Sequence, residues 1–567
     1  MTIKRLLSLS AILLTAGVAL AQPLSPGGQF MDRILSMEGS QVNATAKTVW
    51  GAAPVQGRFL DNGLEPVTLE SGIPEFSFWG GNVMQDADGV YHLYVAAWDA
   101  VAQSHRYWSN SDIYHAVSSK LSGPYALTSD YLVGVGHNPT VFQAKDGTYV
   151  LYALIKNRAA YRYRSSSLDG GWGEIEEMPT DLRGRALSTG STNSYSNWDF
   201  VQRSDGSVYC MDRGGAMWVS EDGLSAFEEV YDKSAYPGGY QRYYEDAVVW
   251  RDEFQYHMIV NHWNDKIAYY SRSRDGFHWV SEEGTAYDPS AAVHPDGTKE
   301  GWTKFERPRV FQDRYGRAVS LNMAVIDVEK NQDLAGDSHS SKNIFMPLNP
   351  GLRMEVLNGE KISESTPVIK VIVYKEEGFS PSADLDISSL RFGGYSTVNR
   401  GGGSKCLSSE TDAAGNLVLA FSGAGSGLTE DEFAPKLLGK YADGYTPCFP
   451  NAGAGSFCYG YAKLRYVDYE PAFLSPALPE IGKDGRPVSI ELKNYGLKAS
   501  GAGTVIEVLD ENGKKIAAGK VPSVLPYKTA VIGLEALGAV PAGSVTLKVV
   551  VGSDVHTLQI PSSVVAK

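Results

Sequence analysis

The chain has 567 residues, of which 43% are hydrophobic and 20% charged, and its formal net charge is −14. That length allows about two to four domains with ample core. The acidic balance excludes a nucleic-acid binder built on a basic face, because phosphate contacts need clustered Lys and Arg.

The chain opens with "MTIKRLLSLSAILLTAGVALAQ". Lys4 and Arg5 form a basic head, Leu6 to Val18 a short apolar run, and Ala19-Leu20-Ala21 a small-x-small cleavage site. This predicts a secretory signal peptide over 1–21, cleavage near Ala21, and a secreted or periplasmic protein. No later apolar run is long enough to span a bilayer. Residues 22–75 read as an extension packing on the domain that follows.

From 76 onward, strand–turn–strand hairpins recur. Their turns fall at Asp88-Gly89, Asp146-Gly147, Asp205-Gly206, Asp252-Glu253 and Tyr315-Gly316. Asp-Gly between alternating apolar runs is a strong hairpin signal. Gly89 and Gly316 lie 227 residues apart over four steps, or about 57 per step. Three hairpins are followed by "SSLDGGW", "SEDGLSAF" and "SRDGFHW", and the first by "SSKLSGPY". The fifth is followed by a more polar stretch, "DLAGDSHSSKNIFMPL". Four strands per unit at this period predict an all-β chain with a five-bladed β-propeller over 76–350. A plain sandwich of short strands leaves the repeat unexplained. After Pro350 the pattern changes to a β-rich accessory domain over 351–472. Strict alternation with a turn at Asn512-Gly513 then predicts an Ig-like β-sandwich over 473–567.

Four cysteines are too few to define the fold. Cys448 could pair with Cys458, Cys406 is a second candidate partner, and Cys210 reads as a buried apolar residue. His257 and His262 are five apart in a strand and so lie on opposite faces, and no metal-ligand set is read here. No cofactor is implied, and a structural calcium in the funnel is the one ion left open.

In a propeller the heads of the inner strands converge at one end of the axis. In this chain those heads carry Trp79 and Asn82, then His137-Asn138, then Asn193 to Asp199, then Tyr244-Glu245-Asp246, then Glu306-Arg307. Glycosidic hydrolysis needs one protonated and one ionised carboxyl facing a single pocket. Glu245, Asp246 and Glu306 are the candidates. Adjacent strand residues point to opposite faces, so only one of Glu245 and Asp246 serves unless the chain bends there. The alternative for Glu306-Arg307 is a salt-bridged pair that closes the propeller. A second inventory suits β-elimination at a uronic acid: His105, Trp108, His115, His137, Tyr240, Arg242 and Tyr244, with Arg183 and Arg185 to meet an anionic sugar.

The Asp-Gly hairpins, the "GPY" after the first unit and the "SRDGFHW" corner resemble the five-bladed propeller glycosidases of glycoside hydrolase family 43 and the related anhydrogalactosidase family. The Ser-x-Asp-Gly turns resemble the Asp-box-like corners of propeller sugar enzymes. The resemblance covers about half the chain. It implies a secreted enzyme acting on plant or algal polysaccharide or its oligosaccharides. Those families place an Asp at the first strand head, where this chain has Trp79-Gly80-Gly81-Asn82; by position the acid roles pass to Glu245 or Asp246 and Glu306. The His/Tyr/Arg inventory is similar to that of the propeller ulvan lyases, which have seven blades where five repeats are found here. The expected activity is hydrolysis of an anionic or anhydro-sugar glycan. The alternatives are a lyase or oligosaccharide dehydratase acting on uronic acids, and a glycan-binding protein without catalysis.

Overall fold

A computed structural model describes residues 76–560 except 124, 129–135, 156–158, 186–195, 232, 240–241, 283, 292–300, 337–340, 444, 446–456 and 545. The signal-peptide and extension readings, Asn193, Tyr240 and Cys448 lie outside the described residues. No described helix is long and apolar enough to cross a membrane.

The described chain is all-β, and its first part folds into five successive sheets. The first is β1 (Phe76–Gln85), β2 (Tyr91–Asp99), β3 (Asp112–Ser118) and β4 (Ala126–Leu127). The second is β5 (His137–Gln143), β6 (Tyr149–Ile155), β7 (Ala159–Ser165) and β8 (Glu176–Glu177). The third holds β10 (Asp199–Gln202), β11 (Val208–Met211), β12 (Met217–Ser220) and β13 (Phe227–Tyr231), with the short β9 (Thr180–Asp181) added in parallel at its edge. The fourth is β14 (Tyr244–Arg251), β15 (Tyr256–His262), β16 (Ile267–Ser273) and β17 (Trp279–Ser281). The fifth has only three strands, β18 (Lys304–Gln312), β19 (Ala318–Ile326) and β20 (Ser341–Pro347), one fewer than the repeat predicts.

The hairpin turns fall where the sequence places them, for a local reason. Asp86 Oδ1 accepts the backbone N–H groups of Asp88 and Val90, and Asp313 Oδ1 those of Tyr315 and Arg317. A carboxylate at this position closes the turn in place of a backbone carbonyl. Gly89, Gly147, Gly206 and Gly316 follow with φ between 75° and 93°, where a side chain would be strained.

The first strand of each sheet lies against the first strand of the next, and β18 returns to β1. Polar side chains tie these inner strands together. Asn82 Oδ1 accepts from Val141 N at 2.9 Å and Asp199 Oδ2 from Val249 N at 2.7 Å. The buried Arg309 reaches Thr140 Oγ1 at 2.9 Å and Asp199 at 3.5 Å. Between neighbouring sheets the filling is apolar and aromatic. Trp198, fully buried, stacks on Tyr152 and meets Phe200, Trp218 and Phe227 at 5.3–6.0 Å between ring centroids. Trp198→Ala is therefore expected to cost about 3–5 kcal/mol of stability, read from urea unfolding; a loss under about 1 kcal/mol would mean that this core closes around the gap.

Seven strands between Leu352 and Leu464 form a closed barrel around Val371, Phe392, Leu419, Leu437 and Ala462. Trp250, Tyr270, Leu348, Tyr459 and Tyr461 join the barrel to the fourth and fifth sheets in one core. Cys406 and Cys458 carry no disulfide to one another, and Cys210 is a buried thiol, as expected of it. Two further antiparallel sheets between Leu474 and Gln559 enclose Ile490, Leu492, Ile506, Val508, Ile532 and Val549.

Candidate active site

At the head of every inner strand one residue has left-handed backbone: Gly80, Asn138, Asn197, Asp246 and Arg307, with φ from 53° to 66°. Pairing shifts at four of these heads, between Trp79 and Asn82, His137 and Thr140, Glu245 and Val248, and Glu306 and Arg309. These are β-bulges, and they cancel the strand alternation locally. Four non-glycine residues held this way cost roughly 1–2 kcal/mol each, a pattern that concentrates at functional sites. The bend lets both residues of each pair face the axis. Glu245 and Asp246 thus line the same cavity, which regular strand geometry forbids.

The left-handed residues meet one another around the axis. Asn138 Nδ2 lies 3.5 Å from Asn197 Oδ1, and Asn197 Nδ2 donates to Asp246 Oδ1 at 2.9 Å. Arg307 donates its backbone N–H to Asp246 Oδ2 at 3.3 Å and sets its guanidinium 3.1 Å from Oδ1. Gly80 completes the circle: a Cβ there would stand 3.4 Å from Arg307 Cβ and 3.5 Å from Asn138 Oδ1. This polar ring floors a cavity of about 180 Å³ whose walls are Trp79, His105, Trp108, His137, Ser196, Glu245 and Glu306, with Arg213 and Lys330.

Oxygens of Glu245, Asp246 and Glu306 lie within 4.8 Å of one another. Three carboxylates so close could hold a cation, but each already faces one. Glu245 meets Arg213 at 2.6 Å, Asp246 meets Arg307, and Glu306 meets Lys330, with Lys304 3.9 Å away. Burial, then the negative charges of Asp246 and Glu306, push Glu245 up to about 7, against the pull of Arg213 and Lys330. Asp246 is fully engaged by Asn197 and Arg307, so it holds the site and charges it, leaving Glu245 and Glu306 to face the cavity.

His137 is oriented from behind. The Ser111 hydroxyl donates to Gly136 O at 2.8 Å, so its oxygen accepts from His137 Nδ1–H at 2.9 Å. That leaves Nε2 as a bare acceptor. Burial, Arg307 and Lys330 hold the ring well below the ordinary imidazole range, and His137 is neutral. Trp108 packs 4.9 Å from it; His105 packs 4.6 Å from Trp79 and is fixed through Nδ1 by Ser341 Oγ at 2.8 Å.

Of the sequence candidates, Trp79, His105, Trp108, His137, Asn138, Glu245, Asp246, Glu306 and Arg307 come together here. Six others do not. Asn82 faces a second axial cavity of about 440 Å³ behind the ring, lined also by Asp199 and Arg309. His115 is buried among His92 and Tyr94 of the first sheet. Arg183 binds Ser475 O and Glu491 of the terminal sheets, and Arg185 the carbonyls of Leu182 and Glu229. Arg242 is exposed over the ring of Tyr243, and Tyr244 is packed in a core against Tyr236 and His262. Ser196 and Asn197, within the Asn193 to Asp199 strand head, line the site, and so do Arg213 and Lys330, which were not picked out. Asn197 had a signal: it lies 59 residues after Asn138 and 49 before Asp246, near the repeat period.

No protein-family model matches the chain, and no curated protein matches it. Solved structures similar to it include a family 117 glycoside hydrolase, Zg3597, from the marine bacterium Zobellia galactanivorans, with 11% identity and a TM-score of 0.37, covering 48% of this chain and 85% of that one. A thermostable family-43 glycoside hydrolase matches at 13% identity and TM-score 0.31, over 49% of this chain and 89% of that one. An endo-arabinase from Bacteroides thetaiotaomicron matches at 14% identity and TM-score 0.31, over 48% of this chain and 94% of that one. At such scores the likeness carries no argument about activity, which rests on the site itself.

Proposed function

We propose that the five sheets are the blades of a five-bladed propeller carrying a glycoside hydrolase site. In this reading the barrel is an accessory domain, the two terminal sheets are an Ig-like sandwich, and the leader directs secretion. The observation that supports it is the pair Glu245 and Glu306 in one closed-floored pocket, their oxygens within 4.8 Å, with Glu245 poised near neutrality. Glu245 donates its proton to the departing glycosidic oxygen. Glu306, ion-paired with Lys330, attacks the anomeric carbon. Carboxyls about 5 Å apart suit direct attack and a covalent sugar–enzyme intermediate, whereas inverting pairs stand about 6.5–9.5 Å apart to admit water. Arg213 and Lys330 keep 26% and 33% of their side chains exposed, so both can turn spare N–H donors to a substrate carboxylate or other anionic group. That supports an anionic or anhydro-sugar glycan of plant or algal origin.

The neutral His137 with a bare Nε2 favours the second reading, in which that nitrogen takes the proton beside a uronate carboxylate and eliminates the glycosidic oxygen. One experiment separates the two. The protein is incubated with a panel of neutral, uronate-containing and anhydro-sugar polysaccharides and oligosaccharides. Reducing ends without ultraviolet absorbance are expected. An absorbing unsaturated product would move the reaction to elimination, and saturable binding with no product at all would make the chain a glycan-binding protein.

A further inference from the structure

The wall that carries Glu245 continues beyond the cavity. β14 and β15 pair Glu245 with Asn261 and Tyr244 with His262. One step further from the polar floor, Trp263 N–H donates to Tyr243 O at 3.0 Å, which extends the pairing past the strand ends. Side chains two apart along a strand share a face, so Tyr243 stands on the face of Glu245 with Trp263 opposite it. The two rings meet edge to face at 5.3 Å and 72°, and both side chains are only partly buried.

Two cations flank this aromatic pair. Arg242 is exposed and lays its guanidinium 5.0 Å from the centre of the Tyr243 ring. Lys304, at the head of β18, places Nζ 5.9 Å from the centre of the Trp263 ring and 3.9 Å from Glu306 Oε1. A single ammonium thus spans from the aromatic pair to a carboxyl of the cavity, although the two belong to neighbouring sheets.

The cations differ in what they already hold. Lys304 shares Glu306 with Lys330, and it shares Glu329 with Lys266, at 3.8 and 2.6 Å. Asp265, on the turn after Trp263, is engaged by His262 Nδ1 at 3.2 Å. Arg242 meets no carboxylate among the described residues. Elsewhere in this acidic chain partly exposed guanidinium groups take one: Arg353 clasps Glu253 through two bonds of 2.7 Å, and Arg465 reaches Glu355 at 2.6 Å. A guanidinium stacked on a ring has a fixed plane and keeps its N–H edge open, which matches a carboxylate or sulfate group.

We propose that Tyr243, Trp263 and Arg242 form an outer subsite for the second sugar of a glycan charged on successive units. That sugar packs its C–H face on the aromatic pair, and Arg242 takes its carboxylate or sulfate. Arg213 and Lys330 meet the first sugar in the cavity, so cationic groups recur from the cavity to its rim. A glycan charged only at its end would leave Arg242 unused. The subsite presupposes that the adjoining cavity is the glycan site read above, whether it hydrolyses or eliminates.

The test is isothermal titration calorimetry on the full-length protein carrying Glu245→Gln, which holds back turnover. The probes are oligogalacturonates, sulfated galactan oligosaccharides and neutral galactan oligosaccharides of increasing length from one unit upward. Adding the second unit is expected to tighten binding by about tenfold or more in one acidic series, and by much less in the neutral one. The series that gains identifies the group as carboxylate or sulfate. Arg242→Ala, at an exposed side chain, should abolish the gain and leave the single sugar unaffected, and Trp263→Ala should weaken the second unit in every series. Absence of the gain, an equal gain in the neutral series, or its survival in Arg242→Ala would overturn the proposal. Reducing-end release by the wild type is read on the same sugars. A gain carried by Arg242 without any release strikes the hydrolase reading and keeps the subsite, whereas release without the gain strikes the subsite alone.

Discussion

Glu245→Gln is expected to lower kcat on natural glycans by about 10²–10⁴-fold, the range for losing a general acid. The expectation rests on where the carboxyl sits. Its backbone bulges so that Asp246 shares the cavity, and Glu306 approaches from the fifth sheet; burial and these two charges push Glu245 up to about 7. The acid is therefore largely protonated below that pH and loses its proton as pH rises through about 7. Activity should fall along that alkaline limb in the wild type, and the limb should vanish in Glu245→Gln. Aryl glycosides with acidic leaving groups need little protonation, so the variant should retain most of its rate on them. An unchanged pH profile, or an equal loss on both substrates, would remove Glu245 from the acid role.

Glu306→Gln is expected to lower kcat by about 10³-fold or more, because in the proposed reaction it removes the attacking group and not merely an orienting one. The geometry also predicts the stereochemistry. A carboxyl pair this close suits direct attack more than attack by an interposed water, so the product anomer first formed should retain the configuration of the substrate. Proton NMR during the first minutes of hydrolysis reads this directly. With Glu306→Ala, added azide should restore turnover and yield a glycosyl azide. An inverted first product would require an attacking water and would reassign Glu306 as its base. Arg213→Ala and Lys330→Ala are not equivalent controls, since each leaves a carboxylate of the site without its cation.

Much of the site was legible because repeats make local signals comparable. Polar residues at strand heads have no part in closing a hairpin, and Trp79, His137-Asn138, Glu245-Asp246 and Glu306-Arg307 stood out for that reason. The picture failed where a residue's surroundings come from elsewhere in the chain. Arg183 has the charge to meet an anionic sugar, yet its guanidinium is taken by the terminal sheets almost 300 residues away, as its contact with Ser475 shows. Tyr244 sits beside Glu245, but the strand turns its ring into a core. His115 looked like part of a histidine-rich pocket and instead faces His92 across one sheet. Arg213 and Lys330 were missed because they lie in loops between strands, with no local pattern, and reach the cavity only once the sheets pack.

Asp-Gly turns, apolar alternation and a period of about 57 residues are properties of neighbouring residues, so the hairpins and their order follow from the sequence by itself. The five left-handed strand heads do not, apart from Gly80. Asn138, Asn197, Asp246 and Arg307 are not residues that favour positive φ strongly enough to adopt it alone. They hold it because each is bonded to its counterpart on the next strand around the axis. That closure is a tertiary event: it decides that Glu245 and Asp246 face the same way, and through that proximity it decides which carboxyl keeps its proton.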